Sequence, residues 1–213
     1  MKKVAIVGAG PSGMLAGIKI KESLGDKVNV VIYEKKDRVG KKILASGNGR
    51  CNLSNTDLDM SYYNNAFVNN IIKEINSTNL RCYFQELGLI TMPDSSGRIY
   101  PITDMASTVL DILLRKISEL QIEVKTNTLV TNINKENDKY ILTTNNELHP
   151  FDIVILATGG KSSSYLGSNG EGYALAKELG AKITPLKPGL VGLKTTKDSI
   201  KGLNGIRQKV NLK

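Results

Sequence analysis

The beginning of the chain has the order of elements that a dinucleotide-binding βαβ unit requires. An apolar run at residues 4–7 leads into the glycine turn GAGPSG at residues 8–13, which continues into a helical pattern. A second apolar run, Val28–Tyr33, ends directly before Glu34. Because both strands, the helix and the acid occur at the required distances, the segment predicts a parallel α/β domain far more strongly than a lone glycine triplet would.

Each glycine of this turn has its own expected role. Gly8 permits the tight turn out of the strand, Gly10 lets the backbone approach a pyrophosphate, and Gly13 lets the helix pack closely on the strand. Glu34 is placed to accept hydrogen bonds from both ribose hydroxyls. The unit leaves open whether the dinucleotide is NAD or FAD. Its expected cofactor contacts are Gly8, Ala9, Gly10, Pro11, Ser12, Gly13 and Glu34.

Composition excludes several other classes of protein. The net charge of +9 comes mostly from Lys residues spread along the chain, without the interleaved aromatic residues of a nucleic-acid surface. No apolar run approaches membrane-spanning length. Cys51 and Cys82 form neither a CxxC pair nor a metal-ligand cluster. We therefore expect a reduced, cytoplasmic protein with no metal site and with neither nucleic acid nor a membrane as a partner.

A second glycine-dense segment, at residues 46–55, follows the predicted ribose-binding strand. Its Gly, Asn and Ser residues argue against a regular element and suit a backbone that wraps around a ligand. Lys42 and Arg50 flank it, which favours a binding loop over an ordinary surface loop. Cys51 has no resolving thiol nearby, so we expect a packed residue rather than a redox centre.

The rest of the chain predicts a Rossmann-like FAD/NAD(P)-binding domain, in which a parallel sheet and helices are joined by an antiparallel β-meander. Apolar periodicity predicts helices at 65–75, 79–87, 104–120 and 173–179, the second and last stopped by Gly88 and Gly180. A third parallel strand is expected at 122–125, and the meander at 129–134, 140–144 and near Leu148.

The apolar run Ile153–Leu156 predicts a further strand of the parallel sheet, covered on both faces. The small residues at 157–160 that follow it would clear space for a ligand at the carboxyl edge. His149 is the only histidine and precedes Pro150 in a predicted turn, and we assign it no catalytic role.

Together these segments resemble the BaiN-like flavoproteins, also called the aminoacetone-oxidase family of FAD-binding enzymes. The resemblance covers nearly the whole chain and rests on GAGPSG at 8–13, GKKILASGNGRCNLSN at 40–55, GRIYP at 97–101 and ATGG at 157–160. The stretch SGNGRCN is specific to the family, whereas the first glycine motif is not. The resemblance implies non-covalent FAD, a small-molecule substrate, an oxidoreductase activity and NAD(P)H as a candidate electron donor.

The resemblance also implies cofactor contacts beyond the first unit, but no catalytic residue. Arg50 or Lys42 is expected to stabilise negative charge on the reduced flavin or on a phosphate. The matching positions are Lys35, Lys42, Ser46, Gly47, Asn48, Gly49, Arg50, Cys51, Asn52, Val130, Ala157, Thr158, Gly159 and Gly160.

Members of this family are roughly twice as long as this chain. The resemblance therefore implies an FAD-binding domain at residues 1–189 that lacks its C-terminal return segment, and the start of an inserted second domain at 190–213. In such proteins the return segment supplies a last sheet strand and one wall of the flavin pocket. We expect the chain without it to hold its flavin poorly.

Two other functions stay open on the sequence. An NAD-dependent dehydrogenase with one dinucleotide fold would explain the first unit, but it would leave residues 46–55 unexplained and lacks a recognisable acid–base pair. A non-catalytic nucleotide-binding remnant is the other alternative. The sequence does not indicate the oligomeric state.

Overall fold

The computed structural model describes residues 1–189 and 201–202. Met1–Lys182 form one compact unit and Ile183–Lys213 a separate one. The predicted second domain at 190–213 therefore lies, apart from residues 201–202, outside the described residues. In the part of the chain that is described, no helix combines the length and the apolar character needed to cross a membrane.

Ten strands and six α-helices make up the described structure. In chain order they are β1 (Lys2–Val7), α1 (Pro11–Leu24), β2 (Val28–Tyr33), α2 (Lys41–Ala45), β3 (Ser54–Asn55), α3 (Val68–Glu74), α4 (Ser77–Glu86), β4 (Thr91–Pro93), β5 (Arg98–Pro101), α5 (Ala106–Glu119), β6 (Glu123–Lys125), β7 (Val130–Glu136), β8 (Lys139–Thr144), β9 (Glu147–Phe151), β10 (Ile153–Leu156) and α6 (Glu171–Glu178). The predicted helices and strands are present, with ends shifted by a few residues.

A parallel sheet of four strands in the order β10-β1-β2-β6 organises the first unit. The chain runs outward from β1 through β2 to β6 and then returns to the other side of β1. The strand order therefore reverses between β1 and β10. In open α/β sheets, ligands bind in the crevice outside the carboxyl ends of the strands at such a reversal.

The central strands β1 and β2 are apolar at residues 4–7 and 30–33, where both faces of the sheet are covered. Val4 and Ile6 of β1 belong to a core shared with α1 and α5, where Leu113 is buried. Ala5 and Val7 point to the opposite face and belong to a second core with residues of the meander. Successive side chains of a strand point to opposite faces, so consecutive apolar residues are expected where both faces are buried.

The meander β7-β8-β9 is antiparallel, as the sequence predicts. The predicted turn at His149 and Pro150 is wrong, because both residues lie within β9. Pro150 is opposite Ile141 of β8, and β9 is an outer strand of this three-stranded sheet. A proline is tolerated in an outer strand, where one side of the backbone has no neighbouring strand to bond.

Strand β10 is less covered than the sequence predicts. Among the described residues it pairs only with β1, so it forms an edge of the parallel sheet. Ile153 is 48% exposed, and the other three residues of the strand are partly buried. An apolar run identifies a strand, but its coverage depends on which elements lie beside it in space.

Candidate dinucleotide-binding site

At two positions of the glycine motif, Gly8 and Gly13, any side chain with a Cβ would collide with backbone atoms. Gly8 has φ +109°, and a Cβ there would overlap the carbonyl oxygen of Ala157. A Cβ at Gly13 would overlap the carbonyl oxygen of Gly8 and would lie 3.2 Å from Cγ2 of Ile6. These contacts support the predicted roles of Gly8 in the turn and of Gly13 in close packing of helix on strand.

Gly10 is surrounded differently, since a Cβ there would have no neighbour within 4 Å. The open space lies at the start of α1, where Pro11 is the first helical residue and no acid occupies the first turn. The first N–H groups of a helix have no intrahelical partner, and the helix dipole favours an anion there. The space next to Ser12 and Gly13 therefore has the features expected of a diphosphate site, and binding there stays a prediction.

Glu34 is held in one orientation by two backbone N–H groups. Its Oε2 accepts a hydrogen bond from Ala9 N at 3.0 Å, and its Oε1 accepts one from Lys36 N at 2.9 Å. An ionised carboxylate offers about four lone-pair positions, so it keeps acceptor capacity for ribose hydroxyls. The bond to Ala9 ties Glu34 to the glycine turn, a role that sequence reasoning missed.

The stretch at residues 40–52 starts beside this turn at Gly40 and leads into the segment predicted to wrap around a ligand. Gly40 N donates to Ala9 O at 3.1 Å, and Ala106 N donates to Gly49 O at 2.7 Å. The segment is partly regular, because a 3-10 turn at Ser46–Asn48 directly follows α2. It then loses regularity as predicted, with positive φ values at Gly47, Asn48, Gly49 and Cys51.

The two candidate cations of this segment differ in their surroundings. The Arg50 guanidinium lies 3.8 Å from the centre of the Tyr100 ring, and its Nε donates to Asp104 Oδ1 at 2.5 Å. The hydrogen bond to Asp104 raises the pKa of Arg50. Lys42 is partly exposed and makes no hydrogen bond or ion pair with any described residue. Asp104 and Tyr100 were missed by sequence reasoning, although Tyr100 belongs to the GRIYP motif.

Cys51 is a packed residue, as the sequence predicts. It is 7% exposed and belongs to the core shared with α1 and α5. Burial raises the pKa of its thiol, so the thiol is neutral near neutral pH. Neither Cys51 nor Cys82 forms a disulfide in the described structure.

The end of β10 forms the other side of the crevice. Ala157 N donates to Val7 O at 2.8 Å, which places Ala157 against the glycine turn. Gly159 has φ +75°, and a Cβ there would lie 2.7 Å from Ser168 Oγ. Ser168 Oγ donates to Thr158 O at 3.4 Å. Residues 157–159 are thus fixed between the turn and the segment that leads to α6, with Gly160 directly after them.

Two further candidate residues, Val130 and Lys35, contact other residues of this chain. Val130 is 4% exposed in the core between the sheet and the meander, beside an irregularity in the pairing of β7 with β8. Lys35 Nζ contacts Glu171 Oε2 at 2.5 Å and Asn169 Oδ1 at 3.0 Å. Sequence reasoning missed Asn169 and Glu171. The available signal was an acid at the start of a helix that follows a glycine-rich segment.

The sheet order, the glycine turn and the acid tied to it define a Rossmann-type dinucleotide-binding domain. The chain belongs to the family described as the HI0933-like protein Rossmann domain, whose model matches residues 2–206. This assignment confirms the family of BaiN-like flavoproteins indicated by the sequence motifs.

Similar proteins are longer than this chain. A 3-dehydro-bile acid delta(4,6)-reductase of Clostridium scindens is 38% identical over 210 residues, which are 97% of this chain and 51% of the relative. A ribosomal RNA dihydrouridine synthase of Escherichia coli is 26% identical over 87% of this chain and 46% of its own length. The chain thus spans about half the length of these curated relatives.

The fold is also found among solved structures. A flavocytochrome c3 fumarate reductase in an open conformation superposes with a TM-score of 0.60 at 17% identity. The match covers 85% of this chain and 41% of the reductase. At this identity the similarity concerns the fold, and it confirms the Rossmann-type architecture with a parallel sheet and helices.

Proposed function

We propose that the chain is the FAD-binding part of a flavin-dependent oxidoreductase. The observation that carries this proposal is the open space at Gly10 at the start of α1, next to Ala9, whose N–H is bonded to Glu34. Helix α1 would bind the diphosphate, and Glu34 would bind the ribose of the adenosine.

The segment at residues 40–52 favours FAD over NAD. It is joined to the glycine turn by the bond from Gly40 N to Ala9 O. A single NAD site would not explain why three consecutive residues of this segment, 47–49, have positive φ angles. Membership in a family of flavoproteins supports the same choice. We propose that Lys42 or Arg50 faces the negative charge of a phosphate or of the reduced flavin.

The names of the two curated relatives suggest a type of reaction. The names delta(4,6)-reductase and dihydrouridine synthase both denote the reduction of an organic group. We propose the same type of reaction here, on a small organic substrate, with NAD(P)H as the electron donor. A bound flavin would supply the hydride, and the residues of this chain would hold and orient it. We also propose that the protein is cytoplasmic, as its two free cysteines lead us to expect.

The absorbance spectrum of the purified protein, with and without added FAD, tests the proposal. We expect flavin absorption that stays with the protein through gel filtration, at least when FAD is supplied. Colourless protein that binds NADH would favour the single-site dehydrogenase. Colourless protein that binds neither cofactor would favour a non-catalytic module and would contradict the proposal.

A further inference from the structure

One ion pair crosses the carboxyl edge of the parallel sheet. Lys35 follows β2, and Glu171 begins α6, so the residues are 136 positions apart in sequence. Strands β2 and β10 lie on opposite sides of β1. The segment that leaves β10 therefore reaches past the end of β1 to meet Lys35 beyond it. We call this segment, residues 160–171, the strap.

The strap is firmly attached on the side of β10. Ser168 is 7% exposed, and its Oγ donates to Thr158 O at 3.4 Å. Gly172, directly after the strap, packs so closely on Thr158 that a Cβ would overlap the Thr158 Oγ1. The first half of the strap is open to solvent, with Tyr165 78% exposed.

On the side of β2, the strap is held mainly by one polar cluster. Lys35 Nζ contacts Glu171 Oε2 at 2.5 Å and Asn169 Oδ1 at 3.0 Å, while Asn169 Nδ2 donates to Glu171 Oε1 at 2.5 Å. Close to this cluster, a Cβ at Gly167 would lie 3.4 Å from the aliphatic carbons of Lys36. The attachment is thus mostly ionic and is centred on Lys35.

This attachment is weak enough to open. The side chain of Lys35 is 23% exposed and that of Glu171 is 43% exposed. Partly exposed ion pairs contribute little to stability and are screened by salt. Burial opposes ionisation of Glu171, but the hydrogen bonds from Asn169 and Lys35 outweigh it and lower the pKa of Glu171. Glu171 is therefore charged at neutral pH.

We propose that the pair of Lys35 with Glu171 fastens the strap across the adenosine end of the dinucleotide site and slows release of the cofactor. The inference rests on the proposed function, because Lys35 directly follows Glu34, the expected ribose ligand. Lys35 thereby acts through the strap rather than by direct contact with a phosphate. The strap opens when the ion pair separates, and it closes again after the cofactor has bound.

Charge reversal tests the proposal. The dissociation rates of FAD and of the fluorescent probe mant-ADP are measured for the wild type, Lys35→Glu, Glu171→Lys and the double variant. Each single variant is expected to release both ligands about two- to fivefold faster, the effect of losing one partly exposed ion pair. The double variant is expected to restore the wild-type rate. Added salt speeds release from the wild type more than from the single variants.

The variant Glu171→Lys distinguishes two roles of Lys35, which are holding the strap and binding the cofactor directly. If Lys35 bound a phosphate itself, removal of Glu171 would free it and slow release, which is the opposite result. The control is Lys116→Glu, which breaks similarly exposed ion pairs with Glu22 on α1 and Glu119 on α5, away from the strap, and should leave release unchanged.

Hydrogen exchange of residues 161–170 in the protein without ligand provides a second readout. It should be faster in both single variants and normal in the double variant. Unchanged release in the single variants, or no rescue in the double variant, contradicts the proposed role of the strap but not the proposed function. A wild-type protein that binds neither mant-ADP nor FAD instead contradicts the proposed function, and the role of the strap in cofactor release is rejected with it.

Discussion

Oε2 of Glu34 accepts a hydrogen bond from the backbone N–H of Ala9 at 3.0 Å. The acid after β2 and the glycine turn after β1 are thereby joined before any ligand binds. The same carboxylate also accepts a bond from Lys36 N at 2.9 Å. A carboxylate that is already oriented loses little conformational freedom when it binds a ribose, which makes this site well suited to an adenosine.

Glu34→Ala should weaken FAD binding by roughly 1–3 kcal/mol, the range for losing a charged hydrogen-bonding partner at a partly buried site. Titration calorimetry with FAD and with ADP measures the effect, and the two losses should be similar because the ribose belongs to both. Glu136→Ala, at the exposed end of β7, is the matched control. Unchanged affinity in Glu34→Ala would remove Glu34 from the binding site.

Gly10 and Gly13 should respond differently to substitution. Gly10→Val points into open space and Gly10 has φ −80°, so we expect an unchanged melting temperature but a loss of FAD affinity of at least about tenfold. Gly13→Ala drives a methyl group into the carbonyl oxygen of Gly8 and should destabilise the fold by about 1–3 kcal/mol. Thermal unfolding and FAD titration of both variants check this contrast. Normal FAD binding by Gly10→Val would contradict the pyrophosphate assignment.

The loop at residues 46–52 should bind the flavin half of the cofactor. Gly49 has φ +80°, so Gly49→Val would strain the backbone as well as block a ligand. Gly49→Asn is the sharper test, because asparagine tolerates positive φ and the site is open. We expect weaker binding of FAD and unchanged binding of ADP. Normal flavin binding and reduction in Gly49→Asn and in Arg50→Ala would make the loop structural.

Asp104→Asn distinguishes the charge of Arg50 from its fixed position. This substitution keeps the guanidinium but removes its charged partner at 2.5 Å. If Arg50 faces the flavin, Arg50→Ala should shift the flavin reduction potential to a more negative value, because the reduced flavin loses a nearby positive charge. Asp104→Asn should shift the potential much less. Equal shifts in both variants, measured by dye equilibration, would indicate that Arg50 acts only by holding the loop.

Cys51 and Cys82 should react with iodoacetamide at very different rates. Cys82 is exposed, whereas Cys51 is buried and burial raises the pKa of its thiol. The thiolate is the reactive form, so the reaction at Cys51 should begin only at a pH above the usual range for cysteine or after unfolding. Mass spectrometry of alkylated peptides, with Cys82→Ser as a control, measures both rates. Fast alkylation of native Cys51 at neutral pH would contradict its assignment as a packed residue.

The outer edge of β10 should promote self-association. Among the described residues it has no strand beside it, and Ile153 is 48% exposed. Exposed edges of this kind pair with other chains, and a lysine on an edge strand opposes that pairing. Ile153→Lys should therefore reduce the fraction of larger species in sedimentation velocity. Leu24→Lys, at the 50% exposed end of α1, is the control and should leave the distribution unchanged.

The sequence by itself determined most of the elements and their type, but it missed α2 and also β3, which lies in the segment predicted to be irregular. The βαβ unit is visible because strand, turn, helix and acid are consecutive, and each local pattern has its own period and turn chemistry. The meander and α5 follow from the same local rules. The roles of Gly8 in the turn and of Gly13 in helix packing could be assigned from the sequence because both are local, whereas the close contact of Gly8 with Ala157, which follows β10, could not.

Only the tertiary structure decided which distant side chains meet. The pairing of Lys35 with Glu171 spans 136 residues, and that of Arg50 with Asp104 spans 54. Both depend on the order of the strands, which local periodicity does not contain. The same order placed Pro150 in an outer strand. Contacts between residues far apart in sequence depend on how whole helices and strands pack. They can therefore be identified only from the tertiary structure.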